Sequence, residues 1–184
     1  MLRHIPNLLT FLRLAAIAPF LAFLYQGRYD LACFIFFAAG LTDGLDGWLA
    51  RHFQWESKLG SMLDPLADKL LIFNSFLALG LIGALPWWLV ALVVARDFTI
   101  SFGVLAWYYC IRTPLVFEPL PISKFNTFLQ ISLVLLCLLE LAFMELPPSI
   151  LQLWILLTAV TTSVSYVEYV WVWGKKAREA KRLS

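Results

Sequence analysis

The sequence predicts an all-α integral membrane protein with six transmembrane helices. Hydrophobic residues make up 61% of the chain and charged residues only 14%, which is too little charge to cover the surface of a soluble domain. The apolar residues also occur in blocks of about 20 residues, the length that a helix needs to cross a bilayer. A chain of 184 residues has room for six such blocks and little else. We therefore expect a single membrane domain over residues 1–184.

Six apolar stretches follow one another along the chain. They run over about residues 8–26, 30–50, 60–82, 86–110, 122–144 and 148–172. Glycines, prolines and charged residues interrupt them at Gln26-Gly27, 51–58, 83–86, 112–121 and Pro147-Pro148. These interruptions predict the turns between the helices.

The charge distribution predicts the orientation of the helices. One side collects basic residues, namely Arg3, Arg13, Arg51, Lys58, Arg112, Lys124 and the tail residues Lys175, Lys176, Arg178, Lys181 and Arg182. The other side has Arg28 beside acidic residues, namely Asp30, Glu140 and Glu145. By the positive-inside rule, the N- and C-termini are expected in the cytoplasm. The basic tail is either a topology signal or an attraction for anionic headgroups.

The N-terminal residues predict the cellular location. They contain neither a cleavable signal pattern nor an Arg/Ser-rich transit segment. A multi-pass protein of a bacterial inner membrane is therefore expected rather than an imported organellar protein, although a processed organellar chain would have the same pattern. The expected partners of a membrane protein of this kind are lipids and not nucleic acid.

Four aspartates stand at the ends of the second and third predicted spans. Asp43 and Asp46 are three residues apart, and Asp64 and Asp68 are four apart. Such spacings place each pair on one face of a helix. Because the loop over about residues 51–59 reverses the chain, the two faces can meet at the same depth. Ionisable residues inside a span are candidates for function.

Oxygen ligands of this kind favour a hard divalent cation such as Mg²⁺. Two such ions about 4 Å apart are a recognised arrangement for displacement at phosphorus. Two structural interpretations remain open. In the first, some of the aspartates cap helices, as the position of Asp64 before Pro65 allows. In the second, Lys69 and Arg96 each pair with one of the carboxylates in a structural network.

Small residues accompany the aspartates. Gly44, Gly47 and Ala50 on the second span and Gly60 on the third leave room for a base or sugar to approach the backbone. Arg51 places a guanidinium at the cytoplasmic edge, where it suits phosphate oxygens.

The pattern Asp43-x2-Asp46-Gly47-x2-Ala50-Arg51-x8-Gly60-x3-Asp64-x3-Asp68 resembles the signature of the CDP-alcohol phosphotransferase family. The resemblance implies a six-helix homodimer. It also implies two Mg²⁺ or Mn²⁺ ions, held mainly by the first three aspartates. Asp68 would complete the ligand set and act as the general base on the acceptor hydroxyl. The region of Gly47, Ala50 and Arg51, together with Gly60, would bind CDP.

The acceptor is predicted from a segment at the N-terminus and a segment in the second half of the chain. The N-terminal IPNLLTFLR resembles both phosphatidylglycerophosphate synthases and cardiolipin synthases of this family, whereas IRTPLVFEPLPISKFNTFLQ resembles the eukaryotic-type cardiolipin synthases. We therefore expect transfer of a phosphatidyl group from CDP-diacylglycerol to phosphatidylglycerol.

The later spans contain few cations, which agrees with an acceptor that carries one phosphate charge. Lys124 is either a contact for that phosphate or an anchor at a helix end. Arg96 and Asp97 are expected to form an internal ion pair. One alternative is a phosphatidylglycerophosphate synthase that uses glycerol-3-phosphate. Another is an ion or proton transporter, although neither inverted repeats nor broken helices are evident.

Overall fold

The chain is helical throughout the part that the computed structural model describes. The structure describes the backbone of residues 5–53, 58–110 and 121–183, and the side chains of residues 8–42, 44, 66–103 and 121–171. The helices are α1 (Ile5–Tyr25), α2 (Tyr29–Phe53), α3 (Lys58–Leu81), α4 (Trp87–Cys110), α5 (Pro121–Ala142) and α6 (Pro148–Leu183). The prediction of an all-α chain with six helices is confirmed.

Glycines end two of the helices where turns were predicted. Gly27 has a φ of 74° and Gly83 a φ of 80°, in the left-handed region that favours glycine. After α1, the Arg28 N–H donates to the Phe23 carbonyl over 2.9 Å, and after α3 the Ala84 N–H donates to the Leu79 carbonyl over 2.9 Å. This is the Schellman pattern, which satisfies the last carbonyls of a helix.

The sixth helix is longer than predicted. The predicted span ends near residue 172, but α6 continues to Leu183. The added segment consists mostly of Lys, Arg, Glu and Ala, which are favourable helix residues. The prediction followed apolar residues alone and therefore stopped where the chain becomes polar.

The structure supports a membrane protein. Within the described residues, three segments are long and apolar enough to cross a membrane: Leu8–Tyr25, Pro121–Ala142 and Pro148–Trp171. Large apolar side chains such as Phe34, Phe102 and Phe128 are exposed. Contact with lipid chains, which are as apolar as these side chains, accounts for that exposure.

The chain divides into two compact units. Unit 1 contains residues 1–85 and 134–147 and includes α1, α2, α3 and the end of α5. In this unit α1 packs against both α2 and α3. Phe20 of α1 is fully buried, and its ring centroid lies 5.9 Å from that of Phe36 on α2.

Unit 2 contains residues 86–133 and 148–184 and includes α4, the first part of α5, and α6. Here α4 packs against α6. Its buried apolar residues on α4 include Leu89, Val90 and Val93. Its interior also contains buried polar residues on all three helices, which are described below.

Candidate active site

The four predicted aspartates lie on two helices of unit 1. Asp43 and Asp46 are on α2, and Asp64 and Asp68 are on α3. Because both segments are helical, spacings of three and four keep each pair on one helix face, as predicted. The side chains of Asp43, Asp46 and Asp64 lie outside the described residues. Their convergence on one site remains a prediction.

Asp68 is bound by a buried arginine. Nη1 of Arg13, on α1, donates to Oδ1 of Asp68 over 2.7 Å. The side chain of Arg13 is 0% exposed, whereas that of Asp68 is 41% exposed. Asp68 is therefore held from the interior of unit 1, while part of its side chain is exposed.

Sequence reasoning missed Arg13 as a partner of Asp68. The charge distribution predicts only that Arg13 is one of the basic residues that set the topology. Arg13 lies, however, inside the apolar segment Leu8–Tyr25. A charge at that position is expensive in lipid and requires a partner. That argument applied to Arg13 would have predicted a carboxylate partner in a neighbouring helix.

For the residues proposed to bind the nucleotide, the structure gives the position of the backbone only. Gly47, Ala50 and Arg51 are on α2 and Gly60 is on α3, but their side-chain surroundings lie outside the described residues. Gly44 is described and exposed, and a Cβ added there would meet nothing within 4 Å.

A second polar cluster centres on Arg96 of unit 2. Its Nη1 donates to Oδ1 of the adjacent Asp97 over 2.7 Å, which confirms the predicted internal ion pair. Its Nη2 donates to Ser123 Oγ on α5 over 2.6 Å and to Ser165 Oγ on α6 over 2.8 Å. Arg96 thus connects the three helices of unit 2.

Asn126 extends this polar cluster along α5. Its Oδ1 accepts hydrogen bonds from Thr161 Oγ1 over 2.9 Å and from Thr162 Oγ1 over 2.8 Å. One turn further along α5, Gln130 is buried, as is Thr158 on α6. Nδ2 of Asn126 and Nε2 of Gln130 are buried donors without a hydrogen-bond partner in the described part of the chain, an unusual state for buried polar atoms.

Lys124 has a different environment from its neighbours Ser123 and Asn126. It lies in the first turn of α5 with an exposed side chain. Its position suits either of the two interpretations given above, because exposed cations at a helix end serve as anchors and as phosphate contacts.

The donor chemistry of the aspartates fits a hard divalent cation. Among the described residues, no group of three or more His, Cys, Asp or Glu could hold a metal ion. Three of the four predicted ligands lie outside that part of the chain. All four are carboxylates, however, and Mg²⁺ and Mn²⁺ prefer such oxygen ligands. The metal site remains a prediction.

Comparison with known proteins identifies the family. The family model described as CDP-alcohol phosphatidyltransferase matches residues 3–165. The chain belongs to this family. The match includes α1 to α5 and the first half of α6, and with them Arg13, the four aspartates and the Arg96 cluster.

Individual relatives come from animals, fungi and bacteria. The chain is 36% identical over 182 residues to a probable cardiolipin synthase (CMP-forming) of Drosophila melanogaster, covering 89% of the chain and 56% of the relative. It is 35% identical over 189 residues to the cardiolipin synthase (CMP-forming) of Homo sapiens, covering 94% and 62%. A probable phosphatidylglycerophosphate synthase of Mycobacterium tuberculosis is 36% identical over 104 residues, covering 53% and 50%. The chain thus spans between half and two thirds of the length of these relatives.

Proposed function

We propose that the protein is an enzyme of phospholipid biosynthesis that transfers a phosphatidyl group from CDP-diacylglycerol to phosphatidylglycerol, forming cardiolipin and CMP. The observation that carries this proposal is the extent of the similarity. The two cardiolipin synthases align with 89% and 94% of the chain, whereas the phosphatidylglycerophosphate synthase aligns with 53%. The segment from Ser123 to Gln130, which resembles the eukaryotic-type cardiolipin synthases, also connects helices, since Ser123 and Asn126 bind other helices of unit 2.

The aspartates supply the chemistry. Asp43, Asp46 and Asp64 hold two Mg²⁺ or Mn²⁺ ions, with Asp68 completing the set; members of the family generally use divalent metals. When bound, these ions neutralise the diphosphate of the donor and the charge that develops on the departing CMP.

Asp68 acts on the acceptor. Its carboxylate removes the proton from a hydroxyl of the phosphatidylglycerol headgroup. The acceptor oxygen then bonds to the phosphorus attached to diacylglycerol, and the bond from that phosphorus to the CMP oxygen breaks. CMP leaves, and Asp68 retains the proton until solvent removes it. The partial exposure of Asp68 supports this role.

The remaining residues bind and orient substrates. Gly47, Ala50 and Gly60 leave room for the cytidine, and Arg51 binds phosphate oxygens of CDP. Lys124 contacts the phosphate of phosphatidylglycerol. Its exposed position at the start of α5 supports this role, since a lipid headgroup reaches the protein at the membrane surface.

The proposed architecture rests on the sequence pattern for the spans and their orientation, and on the family resemblance for the homodimer. Residues 1–184 form one membrane domain with six spans, both termini lie in the cytoplasm, and the chain is a homodimer in a bacterial inner membrane. Basic residues at 51–58, 112–124 and 175–182 support this orientation. A reporter active only in the cytoplasm, fused to either terminus, should be active; an inactive C-terminal fusion would contradict the even number of spans.

The deciding experiment uses the purified protein in detergent with Mg²⁺ or Mn²⁺. CDP-diacylglycerol is supplied with phosphatidylglycerol or with glycerol-3-phosphate, and the lipid product is identified by mass. Cardiolipin is the expected product. Phosphatidylglycerophosphate as the main product would instead establish the alternative acceptor, which the similarity to the bacterial relative favours.

Ligand binding distinguishes the proposed enzyme from the alternative of an ion or proton transporter. An enzyme of this class is protected against thermal unfolding by CDP together with Mg²⁺, beyond the effect of Mg²⁺ alone, since a ligand that binds the folded state stabilises it. Protection by the cation alone, with no effect of CDP and no CMP release, would favour the transporter.

A further inference from the structure

Arg13 is a charged residue that unit 1 encloses completely. Its side chain is 0% exposed, although it lies inside an apolar helix segment. Removing a guanidinium from water is unfavourable unless a partner compensates its charge. The position is therefore maintained by a specific interaction, and Asp68 provides it.

The contact has the geometry of a strong hydrogen bond. The distance of 2.7 Å from Nη1 to Oδ1 is at the short end of the range for an arginine and a carboxylate. Arg13 presents a rigid planar group and is always charged. It therefore restricts the direction of the carboxylate more than a flexible lysine would.

Close packing of α1 on α3 fixes the donor. Thr10, one turn before Arg13, and Ala67, next to Asp68, are both 0% exposed. Arg13 thus lies where α1 packs on the neighbouring helices of unit 1, whereas Asp68 remains 41% exposed. The restraint that Arg13 places on Asp68 therefore comes from the buried side of the unit, while part of the Asp68 side chain is exposed.

We propose that Arg13 is a positioning residue for phosphatidyl transfer, which fixes the direction of the Asp68 carboxylate towards the acceptor hydroxyl without touching substrate itself. This inference rests on the proposed role of Asp68 as general base. A base must lie within hydrogen-bond reach of the proton that it removes. A misplacement of 1 Å can reduce a rate by about a hundredfold.

A purely structural role for Arg13 predicts a different pattern. In that case its loss would weaken folding and donor binding together, and its effect would be the same whether or not Asp68 is intact. A positioning role predicts that the effect passes through Asp68. Residues that act together show non-additive effects in a double-mutant cycle.

The test compares Arg13→Gln, Arg13→Lys and Arg28→Gln. Arg28 is the matched control because it lies in the same unit, with its guanidinium carbon 5.7 Å from the ring centroid of Phe23. For each full-length protein in detergent, we would measure thermal stability, the dissociation constant for CDP-diacylglycerol, and kcat and KM with the acceptor that the wild type uses.

Arg13→Gln is expected to bind CDP-diacylglycerol within about twofold of the wild type, while kcat falls about ten- to a hundredfold. Arg13→Lys should recover part of kcat, and Arg28→Gln should match the wild type. In an Asp68→Asn background, adding Arg13→Gln should change the residual rate by less than about twofold.

An equal loss of kcat in both backgrounds, or wild-type kcat in a folded Arg13→Gln protein, would overturn the proposal. If Arg13→Gln does not fold, Arg13→Lys decides: a lowered kcat with unchanged donor binding supports positioning, and wild-type kcat contradicts it. A wild type that releases no CMP with any acceptor would instead contradict the proposed function itself.

Discussion

Asn126 Oδ1 accepts a hydrogen bond from Thr162 Oγ1 over 2.8 Å and so joins α5 to α6 inside unit 2. Both residues are fully buried. Without a hydrophobic driving force between helices in lipid, such polar contacts are one of the interactions that hold them together. This contact indicates a structural role for Asn126.

The first prediction concerns this contact. Asn126→Leu should lower the free energy of unfolding by about 1 kcal/mol, because the buried Thr162 hydroxyl loses its acceptor. Thermal unfolding in detergent measures the change. Gln152→Leu is the control, since Gln152 is an exposed amide on α6. A stability loss as large in the control would show that the apolar substitution, and not the hydrogen bond, is responsible.

The second prediction concerns metal dependence. A chelator in excess should abolish CMP release, and added Mg²⁺ or Mn²⁺ should restore it, because four aspartates in adjacent spans require positive charge to compensate them. The rate of CMP release is measured before and after readdition. Undiminished turnover in excess chelator would exclude the two-metal mechanism.

The third prediction separates the roles of the aspartates. Asn substitutions at Asp43, Asp46 and Asp64 should lose Mn²⁺ binding and activity together, since each removes a charged ligand. Asp68→Asn should retain most of its binding of CDP-diacylglycerol but lose turnover. Mn²⁺ binding and CMP release are measured on each variant.

Asp30→Asn serves as the control for this series. Asp30 lies in the first turn of α2, on the same helix as Asp43 and Asp46 but outside the signature. It should leave metal binding and turnover unchanged. Near-normal turnover in Asp68→Asn would show that another group is the base.

The fourth prediction tests the nucleotide site. Gly47→Leu or Ala50→Leu should raise the dissociation constant for CDP without unfolding the protein, because the new side chain fills the space proposed for cytidine. Gly40→Leu is the matched control on α2, since a Cβ at Gly40 meets nothing within 4 Å. If a folded Gly47→Leu protein has an unchanged dissociation constant for CDP, the nucleotide binds at another site.

The fifth prediction concerns the acceptor contact. Lys124→Ala should weaken use of phosphatidylglycerol more than binding of CDP-diacylglycerol. Loss of a charge-assisted contact typically costs about 1.5–3 kcal/mol, or roughly ten- to a hundredfold in kcat/KM. Lys175→Ala in the tail is the control. If both lysine variants behave like the wild type, Lys124 is an anchor and not an acceptor contact.

The helices were predictable because each is an apolar segment bounded by glycine, proline or charged residues. Gly27 and Gly83, at the ends of α1 and α3, illustrate this local information. The ion pair of Arg96 and Asp97 was equally predictable, since its members are adjacent in sequence.

Long-range contacts were not predictable in the same way. The pair Arg13 and Asp68 depends on the register of α1 against α3, and the bond between Asn126 and Thr162 depends on that of α5 against α6. Helix periodicity fixes which residues share a face, but not which residue of another helix lies opposite. Arg13 nevertheless left a signal, because a charge within an apolar helix implies a partner.

The uninterrupted length of α6 has a consequence for how the basic tail meets a membrane. The largely apolar part of α6 ends at Trp173, two residues before the first lysine of the tail, whereas the helix continues to Leu183. At about 1.5 Å per residue, a helix that follows the membrane normal would place the backbone of Arg182 about 10 Å further from the membrane than that of Lys175. The Debye length at physiological ionic strength is about 8 Å. In that orientation the surface potential of anionic lipids would fall by roughly two thirds between Lys175 and Arg182, so the first two lysines of the tail would contribute more to membrane attraction than Lys181 and Arg182.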